Sequence, residues 1–119
     1  MRYAAASGVW LAEAPEPVID RLRVARRFLQ RAVGLLGKAG LAPREALLIP
    51  NCRSLHTFGM RFAIDVLFVD DQGVVRDLFP QTPSGHIVIA RSKPVHALEV
   101  SAGFIAKHNI NPGQRLSIR

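Results

Sequence analysis

The chain has 119 residues, of which 49% are apolar and 21% charged, with 9 glycines and 8 prolines. This is the make-up of a folded globular protein, neither disordered nor fibrous, and its length is that of a single domain, 1–119. The net charge of +7 favours non-specific contact with nucleic acid or anionic lipid, whereas no stretch approaches the ~18 consecutive apolar residues of a membrane span.

The lone cysteine, Cys52, cannot form an internal disulfide, so a reducing, cytoplasmic setting is the expectation. At the N-terminus, Arg2, an apolar run and the Ala12-x-Ala14 spacing mimic a signal peptide, but Ser7 and Gly8 interrupt the run. The alternation in Gly-Val-Trp-Leu-Ala suits a first strand better. Residues 18–25 alternate apolar and charged side chains with period two, which predicts a strand with one wet face. From Arg26 to Leu36 the apolar positions fall at helical spacing, and Gly37 stands where a helix-ending glycine belongs.

A short apolar run at residues 46–49, closed by Pro50, predicts a buried strand. Two β-rich runs flanking residues 70–73 predict a hairpin, with Gly73 supplying the left-handed residue of its loop. Residues 86–90 and 95–100 read as further strands, residues 102–110 as one or two helical turns, and Asn111-Pro112-Gly113 as a turn before a last strand at 114–118. The predicted fold is mostly β, a small, mostly antiparallel sandwich or barrel with one or two short helices.

Function is less legible. Cys52, His56 and Met60 recur every fourth residue, which places them on one face of a helix or a strand alike. Thr57, Phe58 and Gly59, between Pro50 and a following strand, argue against a helix. Along a strand four residues span about 13 Å, too far for ligands that sit roughly 2 to 2.3 Å from one metal ion. A bend at Gly59 could bring two of the three together. No nucleophile-elbow or thiol-protease signature surrounds Cys52, and a buried cysteine is ordinarily a small apolar residue. His56 is expected to be pinned by hydrogen bonds to backbone.

Asp65 and Glu99 are single carboxylates inside apolar runs. Each either points to solvent or needs donors, because an unpaired buried charge is too costly to persist. Arg31, Arg61 or the amides of residues 56–59 are candidate donors, and Asp65 is expected to turn back onto residues 56–61. Asp70 is expected to be a surface carboxylate of the hairpin loop. Two carboxylates would also fit a glycosidase-type acid and base, though nothing in the sequence fixes their separation. Gly34 to Lys38 matches neither a P-loop nor the clamp of a KH domain.

Arg21, Arg23, Arg26, Arg27 and Arg31 form the basic cluster, without the interleaved aromatics that stack on bases.

Residues 31–38, 46–75 and 96–103 together resemble the bacterial and archaeal family known as domain of unknown function 192. The carriers are Arg-Ala-Val-Gly-Leu-Leu-Gly-Lys, the His-Thr-Phe-Gly-Met segment running into the Asp65 strand, and Leu-Glu followed by Ala-Gly. The likeness runs from about Val9 to the end. It departs from the pattern at Ala63, where proline is common, and at Ala46, where glycine is common. The resemblance implies a small, mostly β domain related to sandwich and jelly-roll folds, with no established activity or cofactor.

The function expected is a non-enzymatic binding or accessory module for an unknown ligand or protein partner. Cys52, His56, Thr57, Met60, Asp65 and Glu99 form its candidate ligand-binding or structural site, and no residue is assigned a catalytic or metal-binding role. Two alternatives stand beside it: a weak, sequence-independent nucleic-acid binder using Arg21 to Arg31, and a small hydrolase or metal-dependent enzyme centred on His56.

Overall fold

The computed structural model describes residues 3–25, 40–91 and 95–119. Among them are nine strands and one short helix: β1 (Val9–Leu11), β2 (Arg21–Val24), β3 (Glu45–Ile49), β4 (Ser54–His56), β5 (Ile64–Val69), β6 (Val75–Thr82), β7 (Ile87–Ile89), β8 (His96–Ser101), α1 (Phe104–Lys107) and β9 (Leu116–Ile118). The helix expected over Arg26 to Leu36, with Gly34 to Lys38, lies outside the described residues.

The central sheet has the order β2-β3-β8-β5-β6, and two ribbons, β1-β9 and β4-β7, accompany it. The architecture is sandwich-like, with no closed barrel among the described residues. All pairings are antiparallel except β2 with β3, which is parallel. One parallel pair among antiparallel ones agrees with the expected mostly antiparallel fold. Its cause is topological: the chain leaves β2, passes through residues 26–39, and returns in the same direction.

Every residue of β5 is buried, and β3 and β8 are nearly so, because both faces of the central sheet are covered. Ala46, Leu48, Leu67, Val69, Leu98 and Val100 belong to one apolar cluster, which Val9 and Leu116 of the β1-β9 ribbon join. Leu47, Ile49, Val66, Phe68 and Ala97 belong to the other, with Cys52, Met60 and Val88 from the β4-β7 side. Burial on both faces explains why these runs are continuously apolar rather than alternating.

The predicted hairpin joins β5 to β6. Asp70 N–H donates to the Val74 carbonyl, Gly73 N–H to the Asp70 carbonyl, and Gly73 adopts φ +80°. Asp70 is more than the surface carboxylate expected of it, since its Oδ1 accepts from the amides of Gln72 (2.9 Å) and Val74 (3.0 Å) and so shapes the loop. Among the described residues no helix is long and apolar enough to cross a membrane.

Candidate functional site

The segment from Cys52 to Met60 forms only three residues of strand before it turns. Gly59 has φ +82°, and Met60 N–H donates to the Thr57 carbonyl. The bend folds Met60 back into the apolar cluster that contains Cys52. The Cys52 thiol is buried and donates to the Ser54 carbonyl at 3.1 Å. His56 points the other way, into solvent, where its Nδ1 accepts from Phe58 N–H and its ring stacks on Phe58 at 5.2 Å. Cys52 and Met60 are thus brought together as core, while His56 is separated from both. Among the described residues no group of three His, Cys, Asp or Glu side chains could hold a metal ion.

Thr57 is a fastening point. Its Oγ1 donates to the Pro83 carbonyl at 2.6 Å and accepts from His86 N–H at 2.9 Å. Its carbonyl accepts from Gly85 N–H and Ser84 Oγ. These bonds clamp the end of β4 to the loop that opens β7.

The ribbon so fastened has two unlike faces. Leu55 and Val88, directly opposite each other, face inward against the second cluster. Ser54, His56, Ile87 and Ile89 face outward, with Ile87 62%, Ile89 55% and the adjoining Phe58 49% exposed. These three are the exposed large apolar side chains of the described chain. The sequence reading missed them, because Ile87-Val88-Ile89 is as apolar as a buried strand. The available signal was the shortness of the run, bounded by Gly85-His86 and Arg91.

Asp65 is fully buried and points inward. Its Oδ1 accepts from Gln81 N–H (2.8 Å) and Gly103 N–H (3.1 Å), and its Oδ2 from Ile105 N–H (2.8 Å). The expected contact with residues 56–61 is therefore corrected. The donors in need of an acceptor are those at the start of α1, where Gly103, in the N-cap position with φ +95°, has no side chain of its own to cap them. Gln81, with φ +51°, lies where the β5-β6 register slips.

Glu99 also points inward, on the other face. Arg23, Leu47, Glu99 and Val66 stand in one row across β2, β3, β8 and β5. Burial raises the Glu99 carboxyl from its ordinary 4.5 to about 7, against a smaller lowering by the Arg23 charge. Among the described residues Arg23 is the cation acting on it, in place of the expected Arg61 or amides of residues 56–59, while Arg31 lies outside the described residues.

A polar pair not singled out in the sequence is His96 with Asp71. His96 is buried, its Nδ1 accepting from Asn51 N–H (3.0 Å) and its Nε2 lying 2.7 Å from Asp71 Oδ1. Tyr3 packs edge-on to the imidazole at 5.1 Å and donates its hydroxyl to the Asp70 carbonyl. A cleft of about 680 Å³ opens beside Tyr3 and Asp71, with Glu13 and Arg115 on its walls.

Of the basic cluster, Arg21 and Arg23 are exposed on the edge strand β2, and Glu45 stands across from Arg21. Arg26, Arg27 and Arg31 lie outside the described residues.

Comparison with known proteins adds a family and a fold. The family model of domain of unknown function 192, described as Uncharacterized ACR, matches residues 11–118. No curated protein matches the chain. A solved protein of unknown function from Novosphingobium aromaticivorans superposes with a TM-score of 0.80 at 19% identity, over 92% of this chain and 83% of that one. A second, from Sinorhizobium meliloti, provisionally described as a transcription regulator, gives 0.71 at 24% identity over 82% and 79%. At these identities the two structures speak to fold alone.

Proposed function

The chain belongs to the family of domain of unknown function 192, and from that premise we propose a single-domain, cytoplasmic, non-enzymatic binding module whose working surface is the outward face of the β4-β7 ribbon. One observation carries the reading: Ile87 and Ile89 are exposed on the outward face, His56 stands across from Ile87, and exposed Phe58 stacks on His56, on a ribbon that Thr57 fastens. Contiguous exposed apolar surface on an ordered element marks a contact site, whereas single exposed apolar residues need no explanation. Cys52, Thr57 and Met60 support the ribbon and do not touch the partner. His56, stacked on Phe58, forms part of the contact.

The surroundings support one partner chemistry. Residues 53–61 and 84–91 hold the exposed cations Arg53, Arg61 and Arg91 with His56 and His86, and no Asp or Glu. From outside these segments, Asp77 accepts from Arg91 N–H at 2.9 Å. An apolar face rimmed by cations suits a protein segment that combines apolar side chains with carboxylates.

Selection from a random peptide library on the wild-type protein, counter-selected on an Ile87→Ser/Ile89→Ser variant, tests the reading. Enrichment of peptides that join Asp or Glu to Val, Ile, Leu or Phe is expected. Equal recovery on both proteins overturns it. The competing nucleic-acid reading through Arg21 and Arg23 requires binding that falls steeply with salt, since each neutralised phosphate releases counterion.

A further inference from the structure

We infer that the partner segment binds as an added β-strand, pairing with the outer edge of β7 and setting its carboxylates against the cationic flanks. The inference rests on the binding-module reading and deepens it by fixing the partner's conformation.

The hydrogen-bond register of the ribbon supplies the first step. Thr57 N–H donates to the His86 carbonyl at 2.8 Å, and Ala90 N–H to the Arg53 carbonyl at 2.8 Å. Residues 57 and 86, and 53 and 90, are therefore bonded pairs of an antiparallel ladder whose registered pairs run from Ser54 with Ile89 to His56 with Ile87. In such a ladder bonded and non-bonded pairs alternate, so Ile87 and Ile89 occupy non-bonded positions. Their N–H and C=O groups point away from β4. Among the described residues the ribbon contains two strands, and those groups form its outer edge.

An edge of this kind is a template for another strand. Many natural edges are guarded, and β6, at the rim of the central sheet, carries Pro80 and an irregular register. No proline or inward charge interrupts residues 86–90. The same two residues that offer backbone groups also offer exposed side chains. A strand laid beside β7 gains backbone bonds from Ile87 and Ile89 and lateral apolar contact with both, and Phe58 extends that outward surface.

Charge decides which strand. A second copy of this chain could pair β7 with β7, but that would bring the Arg53, Arg61 and Arg91 sets of two copies together, with no carboxylate on either segment to offset them. Like charges across paired strands are destabilising. An acidic segment meets the same flanks with opposite charge, so the occupant is an extended partner segment with an alternating apolar centre and carboxylates at its ends.

The test uses the full chain and a labelled, end-capped peptide, Asp-Glu-Val-Thr-Val-Glu-Asp, read by fluorescence anisotropy. Its valines lie on one face, opposite Ile87 and Ile89, so N-methylating both removes the amides that would pair with β7. That change is expected to weaken binding by about ten-fold or more, since two backbone hydrogen bonds are lost. N-methylating the threonine and second glutamate, on the opposite edge, is expected to leave affinity within about two-fold, since it removes no bond to β7. Replacing the acids by lysine is expected to abolish binding. Equal effects of the two methylation patterns overturn strand addition while leaving the binding face intact. Peptide binding unchanged by Ile87→Ser/Ile89→Ser overturns the face itself. Sedimentation that shows a dimer of the chain alone, lost in that variant, overturns the acidic segment in favour of a second copy.

Discussion

Asp65 and Glu99 lie on opposite faces of the central sheet. Glu99 stands across from Val66, the residue after Asp65, and Asp65 across from Val100. Because side chains alternate along a strand, adjacent register positions face apart. A β-sheet one residue thick thus separates the two carboxylates, and they cannot act as the acid and base of one reaction. Each has its own environment and its own consequence.

For Asp65 the consequence is stability. Asn at this position keeps one acceptor but turns an amide N–H₂ toward backbone donors that need an acceptor. Charge-assisted bonds contribute about 1.5–3 kcal/mol each, so Asp65→Asn is expected to cost at least about 3 kcal/mol in urea unfolding. Asp20, exposed and paired with Arg44 at 2.8 Å, provides the control, and Asp20→Asn is expected to leave the midpoint nearly unchanged. Equal midpoints for the two variants would show that the three amide bonds do not hold α1 and β6 in place.

For Glu99 the consequence is a pH dependence. Its carboxyl is raised from 4.5 to about 7 in the folded chain. Between those values the folded state holds a proton that the unfolded state has released, so stability falls as pH rises through this window and levels off above it. The full shift corresponds to on the order of 3–4 kcal/mol at 1.36 kcal/mol per unit. Glu99→Gln is expected to remove that slope and to be more stable than wild type at pH 8. Urea midpoints at pH 5 and pH 8 for both proteins check it, and parallel slopes would sink it.

These two residues also show where the sequence was readable. That both sit inside apolar runs was visible, as were the β5-β6 hairpin and the short helical turn, because local periodicity and turn residues determine them. Their partners were not visible. Asp65 meets Gly103 and Ile105 across 38 and 40 residues, and Arg23 meets Glu99 only through two strand pairings. The uncapped Gly103 was the usable hint, since a helix start with no side-chain acceptor must borrow one. The spacing of Cys52, His56 and Met60 misled for the opposite reason: it assumes one continuous element, and Gly59 ends it. The outward turn of Ile87 and Ile89 was hidden because apolarity records what a strand could bury, not whether a second layer covers it.

Gly73 gives a prediction that separates collision from backbone strain. A Cβ there would run into the Leu116 carbonyl oxygen, where β9 crosses the hairpin loop, while Leu116 N–H donates to the Gly73 carbonyl at 2.8 Å. Gly113 also has positive φ, +90°, but open space around it. A left-handed alanine costs about 1–2 kcal/mol, and Gly113→Ala should lose no more than that. Gly73→Ala is expected to lose clearly more, since backbone must also shift. Comparable melting temperatures for the two variants would remove the collision from the account.

His96 closes the hydrogen-bond chain from the turn after β3 to the hairpin tip, and its proton is assigned by its neighbours. Asn51 N–H points at Nδ1, which must therefore offer a lone pair, so the ring proton resides on Nε2 and is donated to Asp71 Oδ1. The expected result is the Nε2–H tautomer in long-range proton–nitrogen NMR, with an Asn51 amide strongly protected from exchange. His96→Gln can reach only one of the two partners and leaves a donor or an acceptor unmatched, which costs about 1–3 kcal/mol for a buried group. Asp71→Asn offers Nε2–H a neutral carbonyl in place of a carboxylate and keeps the Asn51 bond, so its loss is expected to be smaller. A His96 spectrum with the proton on Nδ1, or an Asp71→Asn variant less stable than His96→Gln, would show that the turn and the hairpin are joined by other contacts.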